Sequence, residues 1–182
     1  MVDSTVQSVY ATSRIMIRAA ASIDADTIIA SIDAICVEGN AFYTTRFVAS
    51  RQWEAALYQP DQVPDHLLVV ADLDGNFAGA GHLFPGPEHT LYRHVGEVGL
   101  WVLKPYRRQG VGRRLMEWML SWADQSGLEK VILNVFATNH AALALYANLG
   151  FVEEGRRARQ FKVEDGYVDE ILMAYFLRSS PD

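Results

Sequence analysis

Hydrophobic positions recur along the chain with two different periods. Apolar residues three and four positions apart, as at Ile28, Ile32 and Ile35, predict helices, whereas alternating or short continuous apolar runs predict strands. The predicted helices cover residues 22–39, 50–60, 110–127 and 139–150, and the predicted strands cover 14–20, 66–84 as a hairpin, 94–103, 130–136, 151–161 and 167–177. The expected order is therefore β-α-α-β-β-β-α-β-α-β-β.

The sharpest part of this pattern is the strand–helix–strand unit over residues 94–136. Its helix carries one apolar stripe, formed by Val111, Leu115, Trp118, Met119 and Trp122. Such a unit predicts a right-handed parallel crossover within a mixed sheet, and hence an α/β (α+β) fold. Gly99 interrupts the first strand of the unit and predicts a β-bulge there.

The composition is typical of a globular chain. Its 182 residues, half of them apolar, are enough for one domain with a sizeable core, so we expect a single domain over 1–182 with 1–13 as a loosely ordered extension. The N-terminus lacks a signal-peptide pattern and no apolar run reaches the length of a membrane helix, which predicts a cytoplasmic protein without a membrane partner.

Charge and cysteine content narrow the expected partners. The net charge of −6 argues against a nucleic-acid binder, because such proteins neutralise phosphates with a basic face. Cys36, the sole cysteine, excludes an internal disulfide and a CxxC metal site and is expected to be buried in a helix. No two histidines and a carboxylate fall at metal-ligand spacing, so no metal is predicted.

The segment "YRRQGVG" at 106–112 lies where a strand gives way to a helix. The first N–H groups of a helix lack internal partners and glycine lets the backbone approach an anion closely, so Gly110 and Gly112 favour a phosphate site. An ordinary exposed turn is the alternative interpretation. Neither a complete G-x-G-x-x-G nor a P-loop pattern is present. The surrounding basic residues are Lys104, Arg107, Arg108, Arg113 and Arg114.

A second motif favours the phosphate site over the ordinary exposed turn. It is N-x-x-A-x-x-L-Y-x-x-x-G-F, formed by Asn139, Ala142, Leu145, Tyr146, Gly150 and Phe151. Together with Arg107-x-x-Gly110-x-Gly112 after a strand ending in "LWV", it resembles the GCN5-related N-acetyltransferase (GNAT) superfamily, loosely nearest its ribosomal-protein and protein N-acetyltransferase branch. The resemblance implies a mostly antiparallel mixed sheet with a central parallel β-α-β crossover, splayed strands and helices on both faces.

The resemblance also implies acetyl-CoA as co-substrate and assigns residues to it. The pantetheine arm would pair with the backbone of Leu100, Trp101 and Val102. The backbone N–H groups of a turn would hold the pyrophosphate, namely those of Arg107, Arg108, Gln109, Gly110, Val111 and Gly112. The arginine side chains of this turn would assist, and Arg113 or Lys104 would reach the adenosine phosphates.

Two residues of the second motif receive roles with structural alternatives. Asn139 would bond the pantetheine arm, and as a plain N-cap it would serve the helix start. Tyr146 would direct its phenol at the CoA sulfur as the acid, and otherwise it packs the helix against the sheet.

Acetyl transfer to a primary amine also requires a base, because an amine is protonated at neutral pH. In the ribosomal-protein branch a glutamate often stands five residues before the motif asparagine, but here that position is Asn134. Glu97 is the best remaining carboxylate, with an exposed strand glutamate as the alternative. His94, three residues earlier, is a candidate for a proton relay.

The acceptor is expected to be a protein N-terminus, a lysine or a small-molecule amine. Its groove would be built from residues 22–60, 86–93 and 161–168, and Asp169 and Glu170 would either line an acidic mouth or protect a strand edge. A non-catalytic acyl-CoA-binding sensor and a dinucleotide-binding domain are the alternative functions. A homodimer is compatible with the sequence.

Overall fold

A computed structural model describes residues 14–39 and 44–177. The strands are β1 Ile15–Ala19, β2 Leu67–Leu73, β3 Asn76–Pro85, β4 Val95–Val102, β5 Lys130–Phe136, β6 Val152–Val163 and β7 Gly166–Phe176. The helices are α1 Ala25–Val37, α2 Arg51–Tyr58, α3 Val111–Gln125 and α4 His140–Leu149. The predicted order of elements is confirmed. At the start of the first helix, residues 22–24 form a 3-10 turn and the α-helix begins at Ala25.

The seven strands form one mixed sheet in the order β1-β2-β3-β4-β5-β7-β6. Every pair of neighbours is antiparallel except β4 and β5, which are parallel and are connected by α3. This confirms the predicted mixed sheet with a central parallel crossover. The expectation for residues 1–13 lies outside the described residues.

The parallel pair comes apart after three residues. The pairing of β4 with β5 ends at Glu97 and Ile132, although β4 continues to Val102 in register with β3. A gap therefore opens in the sheet between the C-terminal halves of β4 and β5. The splayed strands implied by the sequence resemblance are confirmed.

Each face of the sheet carries its own hydrophobic core. The core under α3 and α4 includes Val111, Leu115, Met119 and Tyr146. The core under α1 and α2 includes Ile28, Ile32, Ile35, Cys36 and Trp101. Because alternate residues of a strand point to opposite faces, β4 contributes Val98 to the first core and Trp101 to the second. Helices thus cover both faces, as predicted.

The β-bulge predicted at Gly99 is wrong. The register of β3 and β4 runs without interruption from Gly79–Val102 to Pro85–Gly96, whereas register shifts occur between β2 and β3 and between β6 and β7. The presence of glycine at position 99 has a different explanation: a Cβ atom there would stand 2.5 Å from Cε1 of His82. Glycine is required at position 99 because an imidazole occupies the space above it.

Candidate active site

A single continuous cleft of about 1420 Å³ passes through the gap between β4 and β5. On one side it is bounded by the N-terminus of α3 and by α4. On the other side it opens between α2, the end of β3 and the β6–β7 hairpin. Residues from each of these elements line it, including Gly110, Tyr146, Trp53, His82 and Phe161. The cleft therefore offers two compartments that meet where the strands separate.

The first compartment contains the helix start predicted to bind phosphate. Gly110 is the N-cap of α3 with φ of 89°, a left-handed conformation that favours glycine, and its carbonyl accepts the first helical bond from the Arg114 N–H. The N–H groups of the first three helical residues consequently have no intrahelical acceptor. Gly112 lies in this first turn, where a Cβ atom would be 3.3 Å from Cδ2 of Leu145. The backbone N–H groups at the helix start are thus open to an anion, while Gly112 packs closely against α4.

The Arg107 side chain is engaged elsewhere. Its Nε donates to the Val102 carbonyl at 2.8 Å, and its two terminal nitrogens donate to the Glu38 carboxylate at 2.7 and 2.8 Å. The guanidinium thus fastens the glycine turn, residues 106–112, to the end of α1, and the expected phosphate contact of this side chain stays a prediction. Arg108, by contrast, is exposed.

Two further side chains in or next to the glycine turn have local partners. Gln109 donates to the Pro105 carbonyl at 3.0 Å. Arg113 lies 3.4 Å from Glu117 in an exposed pair one turn along α3. Neither contact uses the backbone N–H groups at the helix start. Those groups remain the strongest anion-binding feature of the turn.

The backbone of β4 faces the gap at alternate residues. The Leu103 N–H donates to the Ala78 carbonyl on the β3 side, so alternation directs the backbone groups of Val98 and Leu100 toward the gap. Trp101 has the opposite direction, and its predicted backbone pairing with pantetheine is wrong. Its side chain is instead buried in the α1 core, where Nε1 donates to the Ser31 hydroxyl at 2.8 Å.

The Val102 carbonyl also points into the gap. It already accepts from Arg107 Nε. Of the three residues predicted to pair with pantetheine, Leu100 is consequently the one that offers both its N–H and its carbonyl to the gap, whereas Val102 offers only its N–H.

The two residues of the second motif lie at the α4 side of the cleft. Asn139 is the N-cap of α4, and its Oδ1 accepts from the Ala142 N–H at 3.2 Å, which confirms the N-cap interpretation. Tyr146 is buried, with its ring 5.8 Å from that of Phe151, and still lines the cleft. Burial raises the pKa of the Tyr146 phenol to about 12. The hydroxyl therefore stays protonated at every physiological pH.

The second compartment lies on the opposite face of the sheet. Glu97 is exposed there and lines the cleft, and Asn134 is exposed beside it on β5. Strand alternation places Glu97 on the face of Trp101, whereas Tyr146 belongs to the core under α3 and α4. The candidate base and the candidate donor thus approach the gap from opposite faces.

Glu170 lies on β7, an interior strand between β5 and β6, so its charge does not protect a strand edge. The residue is 4% exposed, lines the cleft and pairs with Arg157 at 2.6 Å across the β6–β7 hairpin. Asp169 instead pairs with Arg156 at 3.1 Å and lies outside the cleft lining. Hydrogen bonding by the Arg159 N–H is the main cause that lowers the pKa of Asp169.

The histidine singled out from the sequence is in the wrong place. His94 precedes β4, its carbonyl accepts from the Glu129 and Lys130 N–H groups, and it borders a separate depression. The histidine that lines the cleft is His82 on β3, paired in register with Gly99. The sequence alone could not place His82 beside Glu97, because the two residues are seen to share a face only when the register of β3 and β4 is known.

Two kinds of feature are absent from the described residues. Within 14–39 and 44–177, no group of three or more His, Cys, Asp or Glu side chains is arranged to hold a metal ion. None of the helices in these ranges is both long and apolar enough to cross a membrane.

Comparison with known proteins gives the family. A sequence model of the acetyltransferase (GNAT) family matches residues 33–151, which includes the splayed strands, the glycine turn and the whole of α4. The chain belongs to the acetyltransferase (GNAT) family.

Individual relatives agree with this assignment. The ribosomal protein bS18 alanine N-acetyltransferase of Escherichia coli K12 is 42% identical over 69 residues, 38% of this chain and 47% of that protein. The N-alpha-acetyltransferase RimI of Mycobacterium tuberculosis is 31% identical over 121 residues, 64% of this chain and 72% of that protein. The matched part of the chain thus spans about half the length of the first relative.

A solved structure supports the fold. The structure of yncA from Salmonella typhimurium with its cofactor acetyl-CoA superposes with a TM-score of 0.79 at 21% identity, covering 92% of this chain and 98% of that one. At this identity the similarity establishes the fold alone. It confirms the mixed sheet with splayed strands as the fold of this chain.

Proposed function

We propose that the protein is an acetyl-CoA-dependent N-acetyltransferase that transfers an acetyl group directly to a primary amine. The observation that carries this proposal is the gap between β4 and β5, which ends at Glu97 and Ile132 and has the open N-terminus of α3 at one end. A donor and a carboxylate stand on opposite faces of this gap. That arrangement suits a reaction in which the amine approaches from the face of Glu97 and the CoA sulfur departs toward the face of Tyr146.

The residues present fit acetyl-CoA. The free N–H groups of Val111, Gly112 and Arg113 at the start of α3 suit a pyrophosphate, since they lie at the positive end of the helix dipole. Beyond the last β4–β5 pair, the backbone of Leu100 faces the gap and would pair with the pantetheine amides as an added strand would. When bound, acetyl-CoA supplies an acetyl group activated as a thioester.

The protein's own groups would handle the protons of the transfer. The amine nitrogen bonds to the acetyl carbon as the carbon–sulfur bond breaks, and the Glu97 carboxylate accepts the proton that the nitrogen loses. Tyr146, with its pKa raised to about 12, is a hydrogen-bond donor to the departing sulfur. Because a thiol has a pKa of about 8.5, the sulfur takes its proton from water or from Glu97 and not from the phenol.

The acceptor class is left broad within this proposal. The relatives named above are a ribosomal-protein alanine N-acetyltransferase and an N-alpha-acetyltransferase, and a cleft with Glu97 and Glu170 would accommodate an α-amine. A lysine or a small-molecule amine fits the same chemistry. The expectations of a single cytoplasmic domain and of dimerisation stay predictions.

The test is release of CoA thiol from acetyl-CoA across a panel of amines. The panel contains a peptide beginning with alanine, Nα-acetyl-lysine amide, spermidine, phenethylamine and glutamate. We expect turnover with at least one member and a rise in melting temperature with acetyl-CoA alone, because a ligand that binds the native state stabilises it. Stabilisation without turnover on any amine would favour the non-catalytic sensor; neither effect would refute the cofactor assignment.

A further inference from the structure

His82 is a half-buried polar side chain that the proposed mechanism does not use. It lies on β3 with its ring 4.8 Å from that of Trp53 and 5.0 Å from that of Phe84. Its Nδ1 is fully buried and has no hydrogen-bond partner among the described residues. A neutral imidazole carries one N–H and one lone pair, so either tautomer leaves Nδ1 unsatisfied.

Packing alone does not explain an imidazole at this position. A phenylalanine ring would fill the same aromatic surroundings without leaving a buried nitrogen unpaired, which is unfavourable. The structure also reserves space for this ring, because a Cβ at Gly99 would stand 2.5 Å from its Cε1. Glycine is thus needed on β4 so that an imidazole can lie over it.

The ring lies where the two compartments of the cleft meet. Gly99, its register partner, is two residues beyond Glu97, the last residue of β4 that pairs with β5. His82 lines the cleft and remains partly exposed, although Nδ1 is buried. Nε2 is therefore the ring nitrogen available to the cleft. Glu97 is paired with Phe84, so it is the diagonal neighbour of His82 on the same face.

We propose that His82 contacts the acceptor amine through Nε2 and positions it beside Glu97. The inference rests on the proposed acetyltransferase function and adds a residue to its acceptor side. The imidazole forms a hydrogen bond with the amine in its reactive, uncharged form, while Glu97 accepts the proton that the nitrogen loses. Burial keeps the ring neutral, since it lowers the pKa of His82 to about 4. A neutral ring does not repel an approaching amine as a cationic one would.

The first test is His82→Phe, assayed with the panel amine that the wild-type protein acetylates fastest. This variant keeps the ring packing against Trp53 and Phe84 and removes both nitrogens. We expect kcat/KM for the amine to fall about 10- to 100-fold, the range for a group assisting proton transfer or orientation, with KM for acetyl-CoA within about two-fold. Wild-type kcat/KM in the variant would overturn the inference, whereas an inactive wild-type protein would instead refute the proposed function.

A double-mutant cycle keeps the proposal testable if His82→Phe folds poorly. Gly99→Ala should lower kcat/KM for the same amine because its methyl group displaces the imidazole. In a His82→Ala background the space of the imidazole is vacant, so Gly99→Ala should not lower kcat/KM further. An equal loss from Gly99→Ala in both backgrounds would overturn the inference.

Ring-nitrogen NMR gives a readout that packing would not change. In the protein with CoA bound, saturation with the same amine should shift the Nε2 resonance of His82. An Nε2 resonance that does not move, with the amine shown to be bound, would also overturn the inference.

Discussion

The guanidinium of Arg107 and the carboxylate of Glu38 form a two-bond ion pair, 2.7 and 2.8 Å long, across 69 residues of sequence. A third bond joins Arg107 Nε to the Val102 carbonyl. The pair ties the end of α1 to the start of the glycine turn. In the proposed function it holds the turn in place, and the anion contact is left to backbone N–H groups.

Arg107→Ala should therefore act through stability as well as affinity. The pair is only about one-third exposed on each side, and its loss also leaves the Val102 carbonyl without this donor, so we expect a cost of about 1–2 kcal/mol and a melting temperature about 2–6 °C lower. Acetyl-CoA affinity should weaken several-fold. Differential scanning fluorimetry with and without acetyl-CoA measures both effects.

Arg108→Ala is the matched control, because that side chain is exposed, and its melting temperature should equal that of the wild type. The double variant Glu38→Gln/Arg107→Ala should have a melting temperature no lower than that of Arg107→Ala alone. An Arg107→Ala protein as stable as the wild type, but with weakened acetyl-CoA binding, would mean that the arginine contacts the cofactor directly.

Gly110→Ala should weaken acetyl-CoA binding about ten-fold. Its φ of 89° is strained for alanine at a cost of about 1–2 kcal/mol, and relief of that strain would move the N–H groups at the start of α3. Gly127→Ala provides a control at the other end of the same helix, with φ of 74° and open space around it. Both variants should lose similar stability, and isothermal titration should show an acetyl-CoA defect in Gly110→Ala alone. Equal affinity in the two variants would remove the turn from the cofactor site.

Local patterns predicted most of the fold. Helical spacing and turn residues determined all eleven elements, and the glycine turn followed from two residues in one short segment. The errors concern contacts that depend on strand register or on distant residues. The sequence predicts a bulge at Gly99 because nothing local reveals that the ring of His82, from another strand, occupies the space above this glycine. It also does not reveal that Arg107 pairs with Glu38, which lies 69 residues away.

Tyr146→Phe should lower kcat about 10- to 100-fold and leave acetyl-CoA affinity unchanged. The phenol is the hydrogen-bond donor to the departing sulfur in the proposed mechanism, whereas the ring that packs beside Phe151 is retained. Tyr175→Phe is the control, since its ring also packs on Phe151, at 5.5 Å, but does not line the cleft. Steady-state kinetics of CoA release would exclude Tyr146 from the reaction if both variants turned over at the wild-type rate.

Glu97→Gln should lower kcat/KM for the amine about 100-fold, the loss expected when a positioned general base is removed. It should also abolish the part of the pH–rate profile that reports ionisation of the base. Glu153→Gln, on β6, changes the same charge away from the cleft and should have no effect. A Glu97→Gln profile identical to that of the wild type would assign the base to another group.

His82 should make the stability of the protein pH-dependent below neutrality. Burial lowers its pKa from 6.5 to about 4 in the folded state, so the unfolded chain binds this proton more readily than the native protein does. The stabilisation is complete above pH 6.5 and is lost progressively as the pH falls toward 4. Because the residue is partly exposed, we expect the loss to be about 2 kcal/mol over this range.

In His82→Phe that loss of stability should disappear, so the free energies of unfolding in urea at pH 7 and pH 4.5 should differ less than in the wild type. An unchanged difference would show that the imidazole does not titrate with the depressed pKa that its burial implies.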